Sequence, residues 1–278
     1  MLRRALSICL ATAGLLAGAP AKAQDLPPLP AAIKAQGELR VGVRCDQPPY
    51  GFQDQKGQFA GIEVEMAKQI AAWAFGSPDK AAMICVTAEN RIPQLTGGKV
   101  DMLIATLGKT AERARVIDYA TPYNWGGSDL LVLKDSPVTK LADVKKAEMV
   151  AMLKGTTQAA WFDAKEPDVK TLRLNSISDA LQALKQKRAD VMAADVATLK
   201  VIAEKDPSVR LVGEPFAVSV GGVGVRKNEP EWLAYLNATM ARMATEKRYG
   251  PWIETWVSQD KWDFYKTLFP PAPFPPEG

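Results

Sequence analysis

Strand-length apolar runs alternate with helix-length amphipathic stretches from Glu38 to Val257, and no other feature of the chain limits its fold so strongly. Glu38 to Arg44 reads as a strand. Gly61 to Phe75 reads as a helix with Ile62, Met66, Ile70 and Trp73 on one face, followed by strands at Ala82 to Thr87 and Val100 to Ala105. The last of these is apolar enough to be buried on both sides. A strand, a helix and a second strand in succession close as a parallel crossover. The expected class is therefore α/β, with mostly parallel sheets flanked by helices.

The alternation starts again after Trp125-Gly126-Gly127. Asp129 to Leu133, Glu148 to Leu153, Val169 to Leu172 and Ala189 to Ala193 read as strands. Helices begin near Thr156, Ser176 and Val196, and Ser176 with Asp179 fits a capping box. Gly221 to Arg226 is a last strand-like run before two helices, Glu229 to Lys247 and Tyr249 to Val257. One set of elements lying between two pieces of another predicts an inserted lobe. Residues 37–125 with 219–258 form the first lobe, 126–218 the second, and segments near Tyr123 to Ser128 and Phe216 to Gly221 cross between them as a hinge. Ligand belongs in the cleft, outside the carboxyl ends of the strands.

Both ends read as something other than lobe. Arg3 and Arg4, the short apolar run from Ala5 to Ala17 and the small-x-small triplet Ala21-Lys22-Ala23 predict a signal peptide, residues 1–23, cleaved after Ala23. Cys9 lies inside the apolar run and not at the cleavage point, which argues against a lipoprotein. Residues 24–36, with three prolines between Asp25 and Pro30, form a linker, and 259–278 a Pro-rich tail expected to be solvated. The chain is expected to be exported to the periplasm, to end without a membrane span and to act as a monomer. Arg3, Arg4 and Lys22 leave with the leader, so 35 basic residues drop by three against 31 acidic, a mature net charge of +1. That balance gives no footprint for nucleic acid or a membrane surface. Cys45 and Cys85 survive processing near the ends of two strands, where they either bridge or stay buried as free thiols. The absence of histidine removes His-based triads and the commonest metal ligand, and no cofactor is expected.

The strings Leu39-Arg40-Val41-Gly42-Val43, Pro48-Pro49-Tyr50-Gly51-Phe52, Gly61-Ile62-Glu63-Val64, Gly98-Lys99-Val100-Asp101, Thr110-Ala111-Glu112-Arg113, Tyr119-Ala120-Thr121-Pro122-Tyr123, Gly155-Thr156-Thr157 and Arg188-Ala189-Asp190 follow one another in order. Together they resemble the polar amino-acid solute-binding proteins of bacterial ABC transporters, family 3. The resemblance implies the two-lobed periplasmic-binding-protein type II fold, a free amino acid as ligand and a membrane permease as partner. It also implies roles. Arg113 matches the arginine that clamps the α-carboxylate, for which a planar fork suits better than a lysine. Thr156 and Thr157, at a helix start, offer amides and hydroxyls to the same carboxylate, or serve as an ordinary cap. Asp195 stands where the family places the acceptor for the α-ammonium, and Thr106 and Gly108 supply contacts to the polar head, Gly108 through its backbone alone.

Arg44 and Arg91 resemble the pair that holds a second carboxylate in glutamate/aspartate-binding members, with a surface position or salt bridging as the alternative. Three arginines against Asp195 favour an acidic or related polar amino acid over a cationic one. Gln47 in place of an aromatic lid, Ala88 in place of a hydroxyl and Ile177 in place of a histidine depart from the acidic pattern. Tyr50, Phe52 and Trp125 either wall the cleft or pack in the core. Hinge closure on the ligand is the expected mechanism, because only a closed form brings both lobes to it. The leading alternative is an enzyme on the same fold, such as a cyclohexadienyl dehydratase. Gln158 is an amide where such an enzyme is expected to carry its acid, so the chain is read as a binder and not an enzyme.

Overall fold

The computed structural model describes residues 25–274, so the expected leader lies outside the described residues. Leu39–Val43 is the organising strand of the first sheet. Its residues are almost all buried, and it runs parallel to Ala81–Cys85 on one side and to Met102–Ile104 on the other. The helix Ile62–Phe75 makes the first crossover. Ile62, Met66 and Ile70, one turn apart, bury against the sheet, and the helix stops where Gly76 turns left-handed at φ 80°. Gly224–Arg226 and Ile117–Tyr119 extend the sheet antiparallel, giving five strands.

The second sheet is built the same way around Val150–Leu153 and Val191–Asp195, with Thr171–Leu174 on its parallel edge. Helices Thr157–Lys165, Ile177–Lys185 and Val196–Lys205 follow its strands. Two strings from the sequence do equivalent work in the two sheets. Asp101 accepts from the Arg40 amide at 3.0 Å and pairs with the Arg40 guanidinium at 2.5 Å, and its own amide donates to Arg40 O. Asp190 accepts from the amides of Glu148 and Met149 at 2.7 and 3.1 Å, and its amide donates to Met149 O. In each case an aspartate entering one strand satisfies the open amides at the start of its neighbour.

The ten-residue strand Asn124–Leu133 and the strand Phe216–Gly221 pair with each other, Trp125 opposite Val220 and Gly126 opposite Ser219. These are the two expected crossings. The pairing of both sheets is mixed and not mostly parallel: Asn124–Leu133 is antiparallel to Val191–Asp195, Val209–Leu211 and Phe216–Gly221. A chain that leaves one lobe and returns must cross in opposite senses, so its two crossing strands pair antiparallel and carry that direction into the sheet.

Two further expectations are corrected. The tail is packed as far as Phe269: Trp262–Thr267 is a helix, and Tyr265, Leu268 and Phe269 join the first-lobe core. The Phe269 ring lies tilted 5.3 Å from that of Tyr249 and 6.3 Å from that of Tyr50. Prolines follow this segment, but Tyr265, Leu268 and Phe269 recur at helical spacing, and burying such a side chain contributes about 1.5–3 kcal/mol. The linker also contains structure, a short helix at Ala31–Gln36 whose Ile33 is buried. Cys45 and Cys85 are bonded across adjoining strands, with Cα atoms 5.5 Å apart.

Candidate ligand-binding cleft

Four strands deliver the site. Leu39–Val43 runs into Arg44, Met102–Ile104 into Ala105 and Thr106, Val150–Leu153 into Gly155-Thr156-Thr157, and Val191–Asp195 ends in Asp195 itself. All four carboxyl ends meet at the junction of the lobes, the place where open parallel sheets leave room for a ligand. Two small cavities lie there. One is lined by residues that include Tyr50, Thr106, Gly108, Asn124, Thr157, Asp195 and Ser219. The other is lined by Arg44, Arg91, Thr106, Thr156, Thr157, Gln158 and Asp195. Thr106, Thr157 and Asp195 belong to both.

Three guanidinium groups converge on this junction. Arg44 is 1 % exposed and donates through Nε and Nη2 to Asp46 at 3.1 and 2.7 Å. Arg91 donates from Nη1 to the carbonyls of Ala105 and Thr106 at 2.6 and 3.2 Å and from Nη2 to Gly155 O at 3.4 Å. Its Nε is buried without a partner. Burial and then the neighbouring positive charges of Arg113 and Arg44 push the Arg91 pKa down to about 9. Arg113 spans the lobes, donating to Gly108 O at 2.6 Å and to Gly155 O at 2.9 Å, and burial lowers its pKa too. Such a cluster is short of negative charge, and a bound anion would relieve it.

Asp195 answers from the other lobe. Burial raises its pKa, against the pull of Arg44 and a hydrogen bond from Gln47 Nε2. Gln47 Oε1 accepts in turn from Thr106 Oγ1 at 2.9 Å. Thr106 holds a left-handed backbone, φ 47°, and its amide donates to the buried Glu63 carboxylate at 2.8 Å. Thr156 caps its helix, accepting from the Ala159 amide at 3.3 Å and donating to Leu153 O at 2.9 Å. The Thr157 hydroxyl lies 3.3 Å from Gln158 Oε1, which also accepts from Ser128 Oγ. Gly155 stands with φ 67°, and a Cβ there would lie 2.8 Å from both Ala88 O and Glu89 Cα of the opposing lobe. The lobes are in contact at that point.

Of the residues singled out from sequence, Tyr50, Thr106, Gly108, Arg44, Arg91, Thr156, Thr157 and Asp195 line one or both cavities. Arg113 lines neither; its side chain reaches the cleft through the carbonyls of Gly108 and Gly155. Phe52 and Trp125 are not cleft walls. Phe52 packs edge-on against Trp256 at 5.6 Å, and the Trp125 indole donates to Thr267 O at 2.7 Å. Sequence reasoning passed over Asp46, Glu63, Asn124 and Ser219. Asp46 could have been found as an acid two residues after Arg44, and Glu63 as a charge inside the apolar face of a helix; Asn124 and Ser219 carry no such signal.

A cleft between two α/β lobes, with arginines from one facing an aspartate and a capped helix from the other, defines a two-lobed receptor for a small charged solute. The chain belongs to the bacterial extracellular solute-binding proteins, family 3, whose model matches residues 39–259. It is similar to an ABC transporter glutamine-binding protein of Bacillus subtilis, 30% identical over 83% of this chain and 85% of the relative. A glutamine-binding protein of Geobacillus stearothermophilus is 33% identical, covering 74% of this chain and 79% of the relative. Among solved structures, the solute receptor for L-cysteine of Neisseria gonorrhoeae superposes with a TM-score of 0.81 at 32% identity, covering 87% of this chain and 97% of the receptor. These relatives are binding proteins, as is the family to which the chain belongs. No helix among the described residues is long and apolar enough to cross a membrane.

Proposed function

We propose that the protein captures a free amino acid outside the cytoplasmic membrane and hands it to an ABC transporter permease, with lobes 37–125 plus 219–258 and 126–218 closing on the ligand. One observation carries this reading: Asp195, at a strand end of one sheet, shares a cavity with Tyr50, Thr106 and Gly108 of the other. A zwitterion needs an anion for its ammonium and cationic or N–H donors for its carboxylate, since either charge left unpaired on closure costs several kcal/mol. Asp195 supplies the anion. Arg113 supplies the fork, with the amides and hydroxyls of Thr156 and Thr157 at the start of their helix.

The second cavity, lined by Arg44, Arg91 and Gln158, takes the ligand's side chain. Its guanidinium lining supports an acidic or amide side chain, glutamate, aspartate or glutamine, and opposes a cationic one. The glutamine-binding relatives fit that range. Export through a leader cleaved after Ala23, release into the periplasm and action as a monomer complete the proposal. A thermal-shift screen over the twenty amino acids and cystine tests it, because a ligand at about 100 times its Kd adds about 2.7 kcal/mol of stability. Glutamate, aspartate or glutamine is expected to raise the Tm most. Arginine as the best ligand overturns the side-chain assignment, and no response to any amino acid overturns the function.

A further inference from the structure

Glu63 lies in the first turn of the helix Ile62–Phe75, yet none of its surface is exposed. Its Oε1 accepts from the Thr106 amide at 2.8 Å and from the Tyr123 hydroxyl, while Oε2 is buried with no partner at all. The short segment Ala105-Thr106 is thereby gripped from two sides. Glu63 holds its amide, and Arg91 holds both of its carbonyls. From Thr106 the contacts continue through Gln47 to Asp195, so the hidden carboxyl is joined to the cleft by hydrogen bonds all the way. The titratable and charged groups that act on it are the Tyr123 hydroxyl, the Arg44 and Arg91 guanidiniums, and the Tyr50 hydroxyl. Burial outweighs these hydrogen bonds and positive charges and lifts the Glu63 pKa to about 7.

The charge count of the cleft then turns on this one group. Arg44, Arg91 and Arg113 stand against Asp46 and Asp195, which leaves one positive charge in surplus. We propose that Glu63 is a specificity-determining positioning residue: carrying a proton, it leaves that surplus to select a ligand with an anionic side chain, and ionised, it cancels the surplus and erases the preference. The inference rests on the proposed binding of an acidic or amide amino acid. It adds that binding of the acidic ligand is coupled to uptake of a proton at Glu63, whereas binding of the neutral amide is not.

Isothermal titration of the whole protein with L-glutamate and L-glutamine, at pH 5.5 and pH 8.0 and in two buffers of different ionisation enthalpy, reads this directly. Glutamate affinity is expected to fall about tenfold across that range, the Coulomb scale for charges roughly 10 Å apart at a protein-like dielectric. Glutamine affinity stays level. Near neutral pH, glutamate binding takes up a fraction of a proton and glutamine binding none. In Glu63→Gln the ratio of the two affinities no longer varies with pH, and the proton uptake disappears. Should that variant not fold, proton uptake by the native protein decides alone. A glutamate-to-glutamine ratio that is the same at both pH values, with no proton uptake, overturns the inference and leaves amino-acid binding standing. So does refusal of both ligands by a protein that binds some other amino acid. If no amino acid binds at all, the underlying reading of the cleft has failed instead.

Discussion

Asp195 is the residue on which opposite charge in the cleft depends, and its surroundings say what its loss would do. It is partly buried, it accepts from Gln47, and it feels the fields of Arg44, Arg91 and Arg113. Asp195→Asn keeps the shape and an acceptor while removing the counter-charge for an ammonium. Charge-assisted hydrogen bonds are worth about 1.5–3 kcal/mol, so the amino-acid Kd is expected to rise about 10- to 100-fold by titration calorimetry, with little change in ligand-free Tm. An unchanged Kd would move the ammonium elsewhere. Residues of this kind were legible in the sequence through the family resemblance, with the strand ends and helix starts agreeing for Asp195, Thr156 and Thr157. Their partners were not. Asp46 changes the meaning of Arg44 by pairing with it, and Glu63 reaches Thr106 across 43 positions of chain. A charge count of three arginines against Asp195 therefore overstated how positive the cleft is.

At the scale of elements, helices with an internal repeat and strands with continuous apolar runs announced themselves, whereas pieces of two or three residues did not. The small sheet of Asp46–Gln47, Gly51–Gln53 and Phe59–Ala60 is one such case, too short for a period to show. The six-residue C-terminal helix Trp262–Thr267 also stays hidden, because prolines follow it. That helix joins both lobes. The Tyr265 hydroxyl donates to Ala197 O at 2.6 Å on the helix of the second lobe, Lys261 pairs with Glu204 at 3.1 Å, and Lys200 sits 4.6 Å over the Phe264 ring. On its other side Leu268 O accepts from the amide of Trp125 on a crossing strand at 3.0 Å. Removing residues 262–278 exposes the Tyr50 and Tyr249 faces that Phe269 covers. Calorimetry of that truncation is expected to show a stability loss of several kcal/mol, while Tyr265→Phe, which gives up one hydrogen bond, loses about 1 kcal/mol. A truncated protein as stable as the native one would make the tail the loose end that its prolines suggest.

The whole molecule shows its lobes already touching. Gly155 O receives Arg113 and Arg91 from across the cleft, and Asp46 receives the amide of Ile177 at the start of the second-lobe helix Ile177–Lys185 at 3.1 Å. Each of these, like the bond from Gln47 to Asp195, is a polar contact across the cleft, while behind it the C-terminal helix packs with Ala197 and Val201 of the second lobe. A ligand that bonds to both lobes shifts the balance toward closure by its differential affinity for that form. Gly155 isolates this step. Its left-handed backbone and its approach to Ala88 O and Glu89 Cα leave no room for a Cβ when the lobes meet, while nothing in either lobe's own core depends on it. Gly155→Ala is therefore expected to fold normally, to bind its amino acid at least tenfold more weakly, and to show less compaction on ligand addition by small-angle scattering than the native protein. The left-handed turn costs alanine about 1 kcal/mol by itself, which lowers Tm without touching the scattering. Full compaction with native affinity in the alanine variant would mean that the lobes meet in some other way when ligand is bound.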